Sequence, residues 1–268
     1  MKIGFSGQAL GDVMPFGGIC DTAKKYNMTT CEIWPNNAEG SGEGYLGRDI
    51  KKLKRVAADK GVIIECVTFA SGTNDSGAYV KLFCNAVETA AELGALRINH
   101  YCGHISKDEA DFDRMEKFWS EPLKLAEKHG IILALENEAH DATRTPDRML
   151  KIIRHFNSKC FKTNLDATNY YEAHCDGFPD AYETLKDYIG YVHLKNARRH
   201  PDGFSYVPIP EGAVHIAGIL LKIAEDRSYD GLCSLEPHVK PELVEAYYAC
   251  ESKYIYNILN FSRLRNDL

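Results

Sequence analysis

The chain has no C-x-x-C pair, and no apolar run approaches the roughly 20 residues needed to cross a bilayer. Its nine cysteines are an odd number. Several, such as Cys66, Cys84 and Cys233, sit inside apolar runs as small hydrophobes rather than in a disulfide framework. Lysine and arginine are scattered rather than gathered in a stripe, and the net charge is −6. That balance argues against nucleic-acid or membrane partners. No linker, internal repeat or low-complexity segment divides the 268 residues, so one domain, 1–268, is expected. Met1-Lys2-Ile3-Gly4-Phe5 enters a strand directly, without the apolar stretch of a signal peptide. These absences predict a soluble protein of a reducing cytoplasm.

What the chain does have is alternation of strands and helices from end to end, with 44% hydrophobic residues to build a large core. Strands are predicted at 2–5, 30–34, 62–67, 95–99, 131–136, 162–166, 190–194 and 232–236. Helices are predicted at 17–27, 48–60, 77–93, 107–129, from Pro146, 180–189, 215–227 and 243–264. Ser106 and Thr145 are the expected N-caps of two of them, and Gly130 is an expected stop. Connections 35–47 and 196–214 lack helical period and each follows a strand. Eight strands alternating with helices over 268 residues fit a closed (β/α)8 barrel, which needs about 250.

Four of the strands end on a metal-liking residue: Glu136, Asp166, His193 and Glu236, at intervals of 30, 27 and 43 residues. Alternation puts Ala134, Glu136 and Glu138 on one face, opposite Leu133 and Leu135. Asn164 with Asp166, Tyr191 with His193 and Lys195, and Ser234 with Glu236 follow the same rule. Any one of these residues would pass for a strand cap or half of an ion pair. The four together have only Lys195 to offset three carboxylates, and a buried charge must be paired or bound. Three carboxylates and an imidazole suit a divalent cation that prefers oxygen, such as Mn²⁺ or Mg²⁺.

The segments Leu135-Glu136-Asn137, Thr145-Pro146-Asp147, Leu165-Asp166-Ala167-Thr168-Asn169, Val192-His193-Leu194-Lys195-Asn196 and Ser234-Leu235-Glu236 resemble the xylose-isomerase-like (AP endonuclease family 2) TIM barrels over nearly the whole chain. The resemblance implies one divalent metal on Glu136, Asp166, His193 and Glu236, most often Mn²⁺, with Mg²⁺ or Co²⁺ as alternatives. It implies that Glu136 and Glu236 also move protons, and that Arg199, six residues after His193, binds substrate. Two positions depart from the family pattern: Asn196 stands where an Asp is common, and Asn169 where ketose 3-epimerases and endonuclease IV carry a His. No Asp-x-His motif lies between 200 and 231, which argues against a DNA-repair zinc centre.

A cation held this way leaves positions for a carbonyl and a neighbouring hydroxyl, and lowers the barrier to removing the α-proton. The expected activity is isomerisation or epimerisation of a sugar or keto-sugar through a metal-stabilised enediolate. The alternative is β-elimination from an oxidised sugar, as in inosose dehydratases or in C-glycoside deglycosidases of 3-oxo-glycosides. The latter work with a small partner subunit. His140, four residues after Glu136, is the expected additional base. Lys195, His100 and Trp34 are expected, with Arg199, to bind the carbohydrate, and the long last helix offers a surface for a homo-oligomer.

Overall fold

The computed structural model describes residues 1–37, 50–227 and 229–266, with side chains as far as Phe261. Eight parallel strands close into a barrel: β1 (Lys2–Ser6), β2 (Thr30–Ile33), β3 (Ile63–Phe69), β4 (Arg97–Tyr101), β5 (Ile132–Glu136), β6 (Phe161–Asp166), β7 (Ile189–Leu194) and β10 (Leu232–Leu235). β10 pairs with both β1 and β7 and so seals the ring. Between the strands run α1 (Phe16–Lys24), α2 (Ile50–Lys60), α3 (Ser76–Leu93), α4 (Phe112–His129), α5 (Pro146–Phe156), α6 (Ala167–Glu172), α7 (Asp180–Leu185) and α8 (Ile216–Asp226). The last helix, α9 (Pro241–Asn266), packs against α8, and its Tyr248 hydroxyl donates to the Ser6 carbonyl at 3.2 Å. Among the described residues no helix is long and apolar enough to cross a membrane. All nine cysteines are free thiols.

The core follows from strand alternation. Leu133, Leu135, Leu165, Val192, Leu194 and Leu235 belong to one continuous buried layer with the helices. Cys66, Ala134, Tyr191 and Leu232 form a small separate cluster. At the start of β4 the Arg97 guanidinium meets Glu65 at 2.6 Å and donates to the Gly190 carbonyl at 3.0 Å, an ion pair buried in the lower barrel. Polar ends of the inward faces are thereby left for the opposite mouth, at the strand C-termini.

Several boundaries differ from the sequence expectation. α4 starts at Phe112, capped by Asp111, whose carboxylate accepts from the Arg114 N–H at 3.0 Å. Ser106 is instead a loop staple, donating to the Glu109 carbonyl and accepting from the Asp111 N–H. Thr145 does cap α5, and Gly130 ends α4 in the left-handed region at φ 69°. The connection 196–214 is not irregular: it holds a hairpin of β8 (Asn196–His200) and β9 (Gly203–Val207), followed by a 3-10 turn at Ile209–Glu211. Beyond Asn37 the connection 35–47 lies outside the described residues, as does the expected helix start at Arg48.

Candidate active site

The ends of β5, β6, β7 and the residue after β10 bring ligand atoms of Glu136, Asp166, His193 and Glu236 within 4.8 Å of one another, and all four residues are buried. His193 Nδ1 lies 3.1 Å from Glu136 Oε1 and 3.3 Å from Glu236 Oε2. The carboxylates are oriented from behind by amides. Asn99 and Asn164 donate to Glu136 Oε2 at 2.8 and 3.2 Å, and Asn169 donates to Oε1 at 3.3 Å. Asn137 clasps the Asp166 backbone, accepting from its N–H and donating to its carbonyl. Asp166 Oδ1 accepts from the N–H groups of Thr168 and Asn169, so the residue also caps α6. Neutral amides fix these groups without cancelling their charge.

Glu32 is one of the site residues that the sequence reading missed. It is fully buried on β2, and its Oε2 lies 3.1 Å from His193 Nε2, while Thr68 donates its hydroxyl to Oε1. A carboxylate on Nε2 holds the proton there and leaves the Nδ1 lone pair toward the cluster, the usual way a ligand histidine is oriented. The signal was present, since Glu32 is an acidic residue in an apolar strand, as Glu136 and Asp166 are.

Charge is concentrated here. Lys195 Nζ is 2.8 Å from both Asp166 Oδ2 and Glu236 Oε2 and 4.0 Å from Glu136 Oε1. Burial alone would lower the His193 pKa, but Glu136, Glu236 and Glu32 outweigh it and raise it well above the ordinary value. Burial would raise Glu236, yet His193, Lys195 and His238 hold it well below the usual carboxylate range. Burial pushes Asp166 up, against the pull of Lys195. Burial and then Glu136 raise Glu138.

Above the cluster is a cavity of about 240 Å³, lined by Trp34, Tyr101, Glu138, Glu172, Tyr206 and His238 together with Glu136, Lys195 and Glu236. Trp34 and Lys195 are therefore where the sequence placed them. Three other expected residues are not. His100 is on the outer face of β4, among Phe83, Trp119 and Phe161, because Asn99 and Tyr101 take the inner face. His140 is 82% exposed and meets the rim carboxylate of Glu172 at 3.2 Å. Arg199 caps α6 from outside, donating to the carbonyls of Tyr171 and Glu172 and lying over the Tyr171 ring. The pocket histidine is His238, 3.1 Å from Glu236 Oε2 and 4.6 Å, centroid to centroid, from the Tyr206 ring.

The donor set fits a divalent cation. Donors at about 2.0–2.2 Å from a shared ion lie at most about 4.4 Å apart, close to the 4.8 Å limit observed. Asp166 Oδ2 is buried and has no aligned hydrogen-bond donor despite the nearby ammonium. Glu136, Asp166, His193 and Glu236 would hold the ion.

Fold and site together define a (β/α)8 barrel with a four-donor acidic centre at the strand C-termini. The chain belongs to the xylose isomerase-like TIM barrel family, whose model matches residues 20–254. No curated protein matches by sequence. Among solved structures it is similar to a xylose isomerase domain protein from Planctomyces limnophilus (TM-score 0.78, 15% identity, 98% of this chain and 97% of that one). It is also similar to a xylose isomerase-like barrel from Mycobacterium smegmatis in complex with magnesium (TM-score 0.75, 18% identity, 97% of each chain). An L-ribulose 3-epimerase gives a TM-score of 0.78 at 14% identity, over 100% of this chain and 97% of that one. At these identities the likeness is one of fold.

Proposed function

We propose that the protein is a divalent-metal-dependent isomerase or epimerase of a sugar or keto-sugar, working by proton transfer α to a carbonyl through an enediolate. The observation that carries this is the buried convergence of Glu136, Asp166, His193 and Glu236 beneath a cavity of sugar size. A bound Mn²⁺, the preferred ion, or Mg²⁺ or Co²⁺ supplies Lewis-acid polarisation of the carbonyl. The magnesium complex of the Mycobacterium smegmatis relative and the epimerase among similar folds support the reading.

The chain's own groups then have distinct tasks. Glu136 and Glu236 approach the cavity from different strands, so one carboxylate is placed to take the α-proton and the other to return one. Lys195 and His238 both contact Glu236 Oε2 and so control whether that oxygen holds a proton. Trp34, Tyr101 and Tyr206 wall the cavity and limit water. His140, expected as a separate base, lies too far out on the surface for that task, which removes the particular support for β-elimination and for its small partner subunit. Free thiols and a carbohydrate substrate suit a cytoplasmic enzyme.

Proton NMR in D₂O on the Mn²⁺-loaded protein tests the proposal with free ketoses and a 3-oxo-glucoside. Deuterium at an α-carbon without loss of water or aglycone is expected, and elimination products would replace the isomerase by the lyase. Glu236→Gln should abolish exchange, on the order of a thousandfold or more, if it moves the proton. His140→Ala should stay within twofold of the wild type, and a large loss there would restore His140 as a base.

A further inference from the structure

The charges around the cavity bear on what the substrate itself carries. Two acidic side chains, Glu138 and Glu172, line it in addition to the cluster carboxylates. Lys195 is the one lysine or arginine among the described lining residues, and it is already held by Asp166 and Glu236. The arginines of the hairpin above are committed elsewhere. Arg198 donates to the Glu211 carbonyl, and Arg199 to the carbonyls of Tyr171 and Glu172. Among the described residues a bound divalent cation and Lys195 would face Glu136, Asp166, Glu236 and Glu172, so the cavity carries no surplus of positive charge.

A phosphate brings close to two negative charges, and proteins meet it with arginine forks, lysines or helix N-termini. No unpaired arginine or lysine lines the cavity among the described residues. A phosphate or carboxylate entering the cavity would sit against Glu172, and like charges juxtaposed in a partly dry site repel strongly. Hydroxyl groups reverse the relation, because rim carboxylates are strong acceptors for them. Two more observations point the same way. Among the described residues the buried Trp34 Nε1 has no hydrogen-bond acceptor, and buried donors seldom stay unused. The Trp34 and Tyr101 rings, 6.3 Å apart at 44°, offer apolar faces beside it, suited to the C–H face of a sugar ring. The cavity of about 240 Å³ is smaller than the roughly 300–1,000 Å³ of drug-sized sites.

We infer that the substrate is an uncharged polyhydroxy carbonyl compound of monosaccharide size, a free ketose or cyclic keto-polyol, and that Glu172 excludes its phosphate esters and acids. The inference rests on the sugar-isomerase reading and deepens it.

The test is binding to the Mn²⁺-loaded full chain by calorimetry, with matched pairs: fructose, tagatose and ribulose, each against its terminal phosphate ester. The best neutral compound is expected to bind at least tenfold tighter than its own ester. Glu172→Lys should shrink that ratio at least fivefold by favouring the ester, and Glu172→Gln should shrink it by a smaller factor, each variant still taking up Mn²⁺. An ester that binds as tightly as its neutral partner overturns the inference, as does a ratio that neither substitution moves, or a failure of every neutral compound to bind at millimolar concentration. In each of those cases a protein that still takes up Mn²⁺ and exchanges an α-proton keeps the broader reading. A protein that binds no Mn²⁺ loses both.

Discussion

Glu32 is not among the residues lining the cavity, yet it decides which nitrogen of His193 faces the cluster. Glu32→Gln keeps the shape and weakens the hold on the Nε2 proton, so Mn²⁺ affinity should fall 10- to 100-fold, measured by calorimetry on the folded variant. An affinity within twofold of the wild type would mean that His193 is oriented by packing alone. Far from the centre, Glu251 on α9 is buried and accepts from the Ile209 N–H at 3.2 Å, while its Oε2 has no hydrogen-bond partner among the described residues. Burial raises its pKa to about 8. The folded state therefore holds a proton that the unfolded state releases near pH 4.5, and stability falls as pH rises from there through about 8, by on the order of 4 kcal/mol. Glu251→Gln should match the wild type at pH 5 and exceed it at pH 8.5 in urea denaturation. His100 acts in the opposite sense: burial lowers it to about 3, so its neutral folded form loses stability as pH falls below 6.5.

At the scale of elements, the hairpin β8–β9 is fastened by one amide. Asn196 donates to the carbonyls of Ile209 and Val214 at 2.9 Å each and accepts from the N–H groups of Ala197 and Val214. Gly212 lies so close that a Cβ there would overlap the Asn196 side chain. An aspartate at this position has no N–H to donate to two buried carbonyls. Asn196→Asp should cost on the order of 3 kcal/mol and displace Tyr206 from the cavity wall, visible as a lower midpoint in denaturant and weaker ligand binding. A midpoint unchanged within error would show that the turn holds itself. The eight barrel strands were readable because apolar residues on the helix-facing side recur at period two or in unbroken runs. Glu136, Asp166, His193 and Glu236 were readable because each breaks such a run at its C-terminal end. The hairpin was hidden because its exposed Arg198, Arg199 and His200 carry no apolar alternation. Glu32 escaped because β2 is only four residues long and shifts register between Cys31 and Glu32, which blurs the face rule. The choice between His140 and His238 depends on the path of a loop, and both lie two to four residues past a cluster glutamate.

Across the whole molecule, the barrel gathers buried carboxylates at one mouth and leaves their mutual repulsion opposed by Lys195 and His193. A divalent ion should therefore stabilise the entire fold. At a free Mn²⁺ concentration one hundred times its Kd the gain is about 2.7 kcal/mol, or roughly 5–10 °C in Tm for a chain of this size. Differential scanning calorimetry should show that rise, and its reversal with EDTA. A Tm insensitive to Mn²⁺ would mean that Lys195 alone balances the carboxylates.

β7 ends at Leu194 and β8 begins at Asn196, so Lys195 is the entire joint between barrel and hairpin. A one-residue joint has no slack. Barrels of this kind acquire new specificities by exchanging the loops above a constant floor, and here the exchangeable part and the floor share a residue. A chimaera that imports another hairpin must be spliced after Asn196 and rejoined beyond Val214. A cut before Lys195 would carry its ammonium away with the graft.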